Sequence, residues 1–185
     1  MKIILASNSP RRKELLKECK IEFDVIPSSV DEKINSNLDV YNNVMMLAKI
    51  KCEDVYSNNR DRLVLAADTI VVYNDEILGK PKDEEDAFRM LKLLSGKTHE
   101  VITGVCLMYH DKILVDHVIS KVTFKNITDD DIKDYIKTKE PMDKAGSYAI
   151  QGIGSKFVEN YSGDYNNIVG LPMEKVLELL NEIKK

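Results

Sequence analysis

The sequence predicts an α/β fold, in which a mixed β-sheet with flanking helices is arranged as two lobes. Short apolar runs alternate with helical patterns over roughly the first hundred residues, and two long strand patterns then follow across a two-residue connection. The chain has 185 residues and is 43% hydrophobic and 31% charged, as is typical of one globular domain. We therefore expect residues 1–185 to form a single domain.

The chain begins with a predicted strand, a tight loop and a helix. Residues 3–5 are an apolar run typical of a short buried strand. Ser9 then provides an N-cap and Pro10 the first helical position, and the helix is predicted to continue to Cys19. A second strand is expected at residues 23–27.

The second helix and the third strand each carry a charged residue among apolar ones. Residues 38–55 have apolar side chains at helical spacing, and Lys51 projects from this helix. Residues 63–67 form a continuous apolar run, as in a strand buried on both faces. We expect this strand to end at Asp68, before the β-branched run at residues 70–72. An acid at the end of a buried strand is either a functional group or a turn cap.

The second half of the chain is predicted to contain a helix, a β-hairpin, two further helices and a loop region. Residues 141–170 hold five of the eight glycines and show little periodicity, so we expect a folded loop there. The predicted elements are the helix at residues 83–94, the strands at residues 100–109 and 112–124, the helix at residues 128–137 and the final helix from Pro172.

Composition and charge exclude several classes of function. The net charge of -4 argues against binding to a nucleic-acid polymer, which needs a cationic surface. The three cysteines are odd in number and lack CxxC spacing, so neither a disulfide framework nor a zinc ribbon is indicated. The three histidines lack the spacing of a metal site. No apolar run approaches a membrane span or a signal peptide, and we expect a cytoplasmic protein.

The first turn of the first helix carries an unusual charge pattern. Helix N-termini favour acids, but this one carries Arg11 and Arg12. The arginines, the free backbone N–H groups and the hydroxyls of Ser7 and Ser9 together match a bound phosphate. The alternative interpretation is a serine-capped helix with solvated arginines. If the phosphate interpretation holds, removing either arginine should impair function without destabilising the protein.

A second group of candidate residues consists of Glu32, Lys51, Asp68 and Lys80. Each is predicted at a loop, a helix face or a strand end, where α/β active sites collect their residues. Carboxylates hold a divalent cation or activate water, and lysines offset phosphate charge, so the mixture suits phosphoryl chemistry. Taken singly, Glu32 and Lys80 are more commonly surface residues, and Lys51 is more commonly a helix lysine with a buried stem.

Residues 144–154 place glycines on both sides of a polar amide, Gln151. Glycine lets the backbone approach a ligand closely. The spacing fits neither a dinucleotide fingerprint nor a P-loop, and the alternative interpretation is a glycine-rich turn between strands.

Together these segments resemble the Maf family, whose members open with an SPRR loop and carry Ala-Asp-Thr, Gly-Lys-Pro and Ser-Gly-Lys stretches. Eight segments occur here in family order and span nearly the whole chain. They are residues 7–12, Ala67-Asp68-Thr69, Gly79-Lys80-Pro81, Ser95-Gly96-Lys97, Thr103-Gly104, Lys144-Ala145-Gly146, Ile150-Gln151-Gly152 and residues 167–172.

The resemblance implies an elongated α/β fold related to inosine-triphosphate pyrophosphatases, with a substrate cleft between two lobes and a homodimer. It also implies hydrolysis of a nucleoside triphosphate to the monophosphate and pyrophosphate. The SPRR sequence and Gln151 resemble the branch that acts on dTTP and UTP. The branch that acts on 7-methyl-GTP has an aromatic residue before its arginines and an acid near the glutamine position, and neither occurs here.

The resemblance also implies roles for individual residues. Asp68 is the implied proton acceptor, and Arg11, Thr69 and Gln151 occupy positions associated with substrate choice. The amide of Gln151 can pair with O4 and N3–H of uracil or thymine. From the residues alone, Asp68 serves equally well as a base or as a metal ligand, because both roles require an ionised carboxylate.

We expect Mg²⁺ or Mn²⁺ as the cofactor, held in part by Glu32 and Asp68. The groups expected to stabilise the phosphate charge are Arg11, Arg12, Lys51 and Lys80. Two alternatives remain open: an enzyme of the same fold acting on a modified purine triphosphate, and a regulator of septum formation that acts through protein interaction.

Overall fold

The computed structural model describes residues 2–185, and it confirms an α/β fold with a mixed sheet and flanking helices. The strands are β1 (Ile3–Leu5), β2 (Phe23–Val25), β3 (Val64–Tyr73), β4 (Glu76–Leu78), β5 (Thr98–Tyr109), β6 (Lys112–Phe124) and β7 (Val158–Ser162). The α-helices are α1 (Pro10–Glu18), α2 (Val40–Tyr56), α3 (Glu84–Leu94), α4 (Asp129–Lys137), α5 (Tyr165–Val169) and α6 (Met173–Glu182).

The seven strands form one sheet in the order β2-β1-β3-β5-β6-β7, with β4 paired to β3. Strand β1 runs parallel to both β2 and β3, with Ile4 opposite Asp24 on one side and Val64 on the other. Parallel neighbours need a crossover, and α1 and α2 provide these connections. Strands β4 and β7 pair antiparallel with β3 and β6, which makes the sheet mixed.

The two predicted N-caps, Ser9 and Thr128, are confirmed by their hydrogen bonds. The Ser9 hydroxyl accepts from the Arg12 N–H, and the Thr128 hydroxyl accepts from the Asp131 N–H. Asp39 caps α2 in the same way. Each cap satisfies a backbone donor that the helix leaves without an intrahelical acceptor.

Two predictions about elements were wrong. Strand β3 does not end at Asp68 but continues through it to Tyr73. An acid can lie inside a buried strand here because its carboxylate has a cationic partner, described below. Residues 141–170 were expected to form a loop, yet they contain β7, α5 and three short 3₁₀-helices. Short β4, which follows the turn at Asn74 and Asp75, was also missed.

The described residues form two compact units, each with its own core. The first unit comprises residues 2–69, 103–118 and 170–185, and the second comprises residues 70–102 and 119–169. One apolar cluster in the core of the first unit is formed by Ala6, which follows β1, and by residues of β1, β3, β5 and α2: Ile4, Ala48, Cys52, Val55, Val64, Ala66, Cys106 and Met108.

The second unit buries an aromatic cluster under α3 and α4. Phe124 contacts Tyr148 edge-to-face with ring centroids 4.7 Å apart, and Phe157 contacts Tyr135 in the same manner. Helix α3 packs four side chains on one face into this core: Ala87, Met90, Leu91 and Leu94. None of the helices in residues 2–185 is long and apolar enough to cross a membrane.

Candidate active site

Arg12 lies at the start of α1 and is buried in the first unit, with 9% of its surface exposed. Its guanidinium donates three hydrogen bonds to its own chain: Nε to the Gly170 carbonyl at 2.8 Å, Nη1 to Ser7 Oγ at 3.1 Å and Nη2 to Thr69 Oγ1 at 3.1 Å. The interpretation of this arginine as a solvated side chain is therefore wrong. Its fork ties the first loop to β3 and to the segment before α6.

The serine hydroxyls of the first loop are engaged in the same network. Ser7 Oγ accepts from the Ser9 N–H at 3.2 Å as well as from Arg12, and Ser9 Oγ caps α1. These contacts fix the loop that leads into the positive end of α1. Arg11, which precedes Arg12 in the first turn of α1, is partly buried.

The electrostatics of Arg12 indicate which charges lie near it. Burial lowers the pKa of its guanidinium, while the negative charge of Asp68 acts to raise it. The charge of Arg11 lowers the pKa further, and that of Glu32 raises it. Arg12, Glu32 and Asp68, which are far apart in the sequence, therefore interact electrostatically in the first unit.

Lys51 connects two of the predicted carboxylates. Its ammonium donates to Asp68 Oδ1 at 2.5 Å and lies 2.9 Å from Glu32 Oε1. Lys51 and Asp68 are only 8% and 6% exposed, whereas Glu32 is exposed. Removing either Lys51 or Asp68 would leave the other charge buried without this partner, which is unfavourable. The ion pair therefore favours the arrangement in which the two side chains are in contact.

The position of Lys51 follows from the packing of α2. The residues one turn before and after it, Leu47 and Val55, are buried, so Lys51 lies on the inner face of the helix. The helix approaches β5 closely at Gly104, where a Cβ atom would lie only 2.5 Å from the carbonyl oxygen of Val44. This close contact brings the buried lysine against the sheet.

The loop that carries Glu32 is held by α2 at both ends. Asp54 Oδ2 accepts from the Ser29 N–H at 2.8 Å and from the Ser28 hydroxyl at 2.9 Å. Asn43 accepts from the Asn35 N–H at 2.8 Å and donates to the carbonyl of the same residue. Neither anchor was predicted from the sequence, although an asparagine among the apolar residues of a helix face is a recognisable signal.

Thr69 follows Asp68 in β3, and its hydroxyl is already engaged by the protein. Its Oγ1 accepts from Arg12 and lies 2.9 Å from Thr103 Oγ1. Thr103 and Gly170 were predicted only as parts of larger sequence segments, but both contribute to this network.

Lys80 and Gln151 belong to the second unit and are both exposed. Lys80 lies in the loop after β4, and the Gly146 N–H donates to the carbonyl of the preceding Gly79 at 3.1 Å. Gln151 lies in a turn. Two of the segments that were singled out in the sequence, at residues 79–81 and 144–146, are therefore in contact.

A divalent cation was expected on Glu32 and Asp68. No group of three or more histidine, cysteine, aspartate or glutamate residues in the described part of the chain could hold a metal ion. Glu32 and Asp68 nevertheless both reach the single cation of Lys51. Mg²⁺ commonly takes one or two protein carboxylates together with phosphate oxygens and water. The donor set therefore fits Mg²⁺ or Mn²⁺ whose coordination is completed by a phosphate substrate.

Comparison with known proteins adds an independent observation. The family described as Maf-like protein matches residues 2–183. The chain is 49% identical over 188 residues to the dTTP/UTP pyrophosphatase of Caldicellulosiruptor bescii, covering 98% of this chain and 94% of that protein. It is 50% identical over 181 residues to the dTTP/UTP pyrophosphatase of Bacillus cereus strain G9842, covering 98% and 95%. Among solved structures, the Staphylococcus aureus Ham1 protein matches 67% of this chain and 72% of its own, with 14% identity and a TM-score of 0.44. The chain belongs to the Maf family.

Proposed function

We propose that this chain hydrolyses the nucleoside triphosphates dTTP and UTP to the monophosphate and pyrophosphate. Relatives that share about half of their sequence with this chain over nearly its full length are named dTTP/UTP pyrophosphatase. The observation that carries the proposal is the buried Lys51–Asp68 pair, joined by Glu32, beside the arginine-bearing start of α1. This arrangement supplies the carboxylates, ammonium and guanidinium groups that phosphoryl chemistry requires.

In the proposed reaction Asp68 accepts a proton from the water that attacks the α-phosphorus, and pyrophosphate leaves. Lys51 holds one carboxylate oxygen of Asp68 by its 2.5 Å hydrogen bond, which fixes the orientation of the base. Asp68 could instead act as a metal ligand, and the two roles differ in what its replacement would do to metal affinity.

The phosphates are proposed to bind at the N-terminal end of α1. Arg11 and Arg12 would contact the phosphates there, because Arg12 donates only three of its five N–H groups to the protein. The same three hydrogen bonds make Arg12 a residue that also positions the loop of Ser7 and Ser9. Lys80 is proposed to offset charge on the leaving pyrophosphate.

Glu32 would hold Mg²⁺ or Mn²⁺ together with phosphate oxygens, and in the metal-ligand alternative Asp68 would hold the ion with it. When bound, such an ion polarises the phosphate and offsets the charge that develops during attack.

Gln151, Arg11 and Thr69 are proposed to select the nucleobase of the substrate. The Gln151 side chain is exposed and can donate and accept a hydrogen bond at once, as the O4 and N3–H edge of uracil or thymine requires. We further propose that residues 1–185 act as a single enzyme domain in the cytoplasm, as a homodimer. The net charge of -4 does not favour a nucleic-acid polymer as substrate.

The test is the initial rate of turnover for all common nucleoside triphosphates, with Mg²⁺ or Mn²⁺, and with separation of the products. We expect dTTP and UTP to give the highest kcat/KM and to yield pyrophosphate, not inorganic phosphate. The panel should include a deaminated and a methylated purine triphosphate. A higher kcat/KM for either of these would transfer the chain to the purine branch, and the absence of any turnover would favour a regulator that acts through protein contacts.

A further inference from the structure

A single carboxylate, that of Glu140, organises the turn that follows Gln151. Oε1 of Glu140 accepts from the Ile153 N–H at 2.9 Å. Oε2 accepts from the Gly154 N–H at 2.9 Å and from the Tyr135 hydroxyl at 2.6 Å. All these residues lie in the second unit. The two backbone donors begin a 3₁₀-helix, so Glu140 caps that helix from a different part of the chain.

The glycines beside Gln151 are explained by this contact. A Cβ atom on Gly152 would collide with the carboxylate of Glu140, and one on Gly154 would lie 2.6 Å from the hydroxyl oxygen of Tyr135. From the sequence these glycines indicated either a close approach of the backbone to a ligand or a glycine-rich turn between strands. In the structure they admit a carboxylate and a phenol of the same chain, which makes the turn closely packed.

The hydrogen bonds favour the charged form of this carboxylate. Burial acts to raise the pKa of Glu140, but the bonds from Tyr135, Gly154 and Ile153, with the charge of Lys144, outweigh it and lower the pKa. A carboxylate that accepts three donors is a strong and directional anchor.

Gln151 lies two residues before Ile153, the first anchored position, and is itself exposed. The turn is also closed on its N-terminal side, because the Gly152 N–H donates to the Ala149 carbonyl at 3.2 Å. We propose that Glu140, assisted by Tyr135, is a positioning residue for nucleotide selection, because it fixes the turn that presents Gln151 to the base. This inference rests on the proposed role of Gln151 in the enzyme.

The first variant to test is Glu140→Gln. An amide has one acceptor oxygen, so its NH₂ group must face either the Ile153 N–H or the donors at Oε2, and the turn should loosen. We expect KM for dTTP to rise about tenfold, with kcat within about threefold of wild type, because the chemistry is untouched. The ratio of kcat/KM for dTTP to that for dCTP should fall by about the same factor. Glu85→Gln, the same change at an exposed position of α3, is the matched control and should leave both constants unchanged.

The second step compares Glu140→Gln, Gln151→Ala and the double variant. If Glu140 acts through Gln151, each single variant lowers the dTTP/dCTP ratio, and the double variant is no worse than Gln151→Ala. Ratios that multiply in the double variant, or an unchanged ratio in Glu140→Gln, would overturn the inference and leave the proposed function standing. An unchanged ratio in Gln151→Ala would remove this residue from base selection, and the inference would fail with that part of the proposed function.

Tyr135→Phe serves if Glu140→Gln does not fold. It removes only the hydroxyl that donates to Glu140 and keeps the ring in the core. We expect a fall in the dTTP/dCTP ratio of about twofold to threefold, in the same direction as for Glu140→Gln, because one of three donors is lost. A folded Tyr135→Phe protein with the wild-type ratio would overturn the inference.

Discussion

At the scale of single residues, Arg12 shows how a sequence signal can be right in location and incomplete in meaning. Arginines at the start of a helix are unfavourable for the helix dipole, which correctly indicated a special site. The structure shows that the guanidinium of Arg12 satisfies acceptors of its own chain, including a carbonyl 158 positions away in the sequence. A contact at that separation cannot be derived from local spacing, and it changes the expected effect of substitution.

Arg12→Ala should therefore destabilise the protein, contrary to the expectation from sequence. Three hydrogen bonds from a buried, charged donor are lost, and their acceptors are left without this partner. We expect the free energy of unfolding to fall by roughly 2–4 kcal/mol. Denaturant titration of Arg12→Ala, Arg12→Lys and Arg11→Ala measures the difference.

The matched comparison in that experiment is Arg11→Ala, since Arg11 is more exposed and should cost less stability while impairing turnover. Arg12→Lys should recover only part of the loss, because lysine lacks the planar fork. Equal midpoints for wild type and Arg12→Ala would show that the network does not stabilise the fold.

At the scale of elements, the packing of α2 on β5 determines where Lys51 lies. Gly104 permits this packing, because a Cβ atom there would overlap the backbone of Val44. Backbone cannot yield as a flexible side chain can. We expect Gly104→Ala to destabilise the protein by about 1–3 kcal/mol and to lower turnover through displacement of Lys51.

Gly79→Ala is the control for this prediction, because a Cβ atom at Gly79 would meet nothing within 4 Å. It should unfold at a denaturant concentration close to that of wild type. If Gly104→Ala is as stable as Gly79→Ala, the close approach of α2 to β5 is not a constraint on the fold.

The aromatic core of the second unit contains a histidine that should make stability depend on pH. His99 in β5 is 2% exposed, its Nε2 lies 2.8 Å from the Tyr148 hydroxyl, and its Nδ1 has no hydrogen-bond partner within residues 2–185. Burial lowers the pKa of His99 to about 3. In the unfolded chain a histidine has a pKa of about 6.5, so between these values the unfolded state binds one proton more.

The sign of the effect follows from that proton. Stability from a neutral buried His99 is fully present above about pH 6.5 and is lost by about 1.4 kcal/mol per pH unit as the pH falls toward about 3. In His99→Phe this contribution to the slope should disappear, even if the absolute stability also changes. Denaturant titrations at several pH values in this window provide the measurement. Parallel curves for wild type and His99→Phe would mean that His99 does not remain neutral in the folded protein.

At the scale of the whole molecule, the sequence was sufficient for most of the sheet and helices. Local signals such as the Ser9 and Thr128 caps and the apolar runs of β1 and β6 each determine an element without distant information. Strand β7 was missed because it is short and largely polar, and helix α5 because it has only five residues. Asn167 ties α5 to the sheet by donating to the Val101 carbonyl and the Ser120 hydroxyl, which local spacing does not reveal.

In the candidate site, too, some residues could be predicted from local sequence and others only from the structure. Asp68 and Lys51 were identified from an acid and a lysine in apolar surroundings, but their direct pairing required the structure. Glu140 was not identified at all, since it precedes a proline in a polar stretch that resembles an ordinary exposed loop. Only its three donors, which come from residues on both sides in the sequence, distinguish it.

The central claim is that the carboxylate buried in β3 performs chemistry on a nucleotide, and turnover of dTTP and UTP by Asp68→Asn tests it most directly. Asparagine keeps the shape and one oxygen that can accept from Lys51, and Lys51 keeps its contact with Glu32, so the variant should fold. We predict a loss of turnover of roughly 10² or more, the scale of general-base catalysis, in a protein that folds but is less stable than wild type, because the buried Lys51 keeps only the exposed Glu32 as a charged partner. Near-normal metal affinity in the inactive variant would identify Asp68 as the base, and a large loss would identify it as a ligand. A folded Asp68→Asn protein that hydrolyses dTTP and UTP at the wild-type rate would contradict the account.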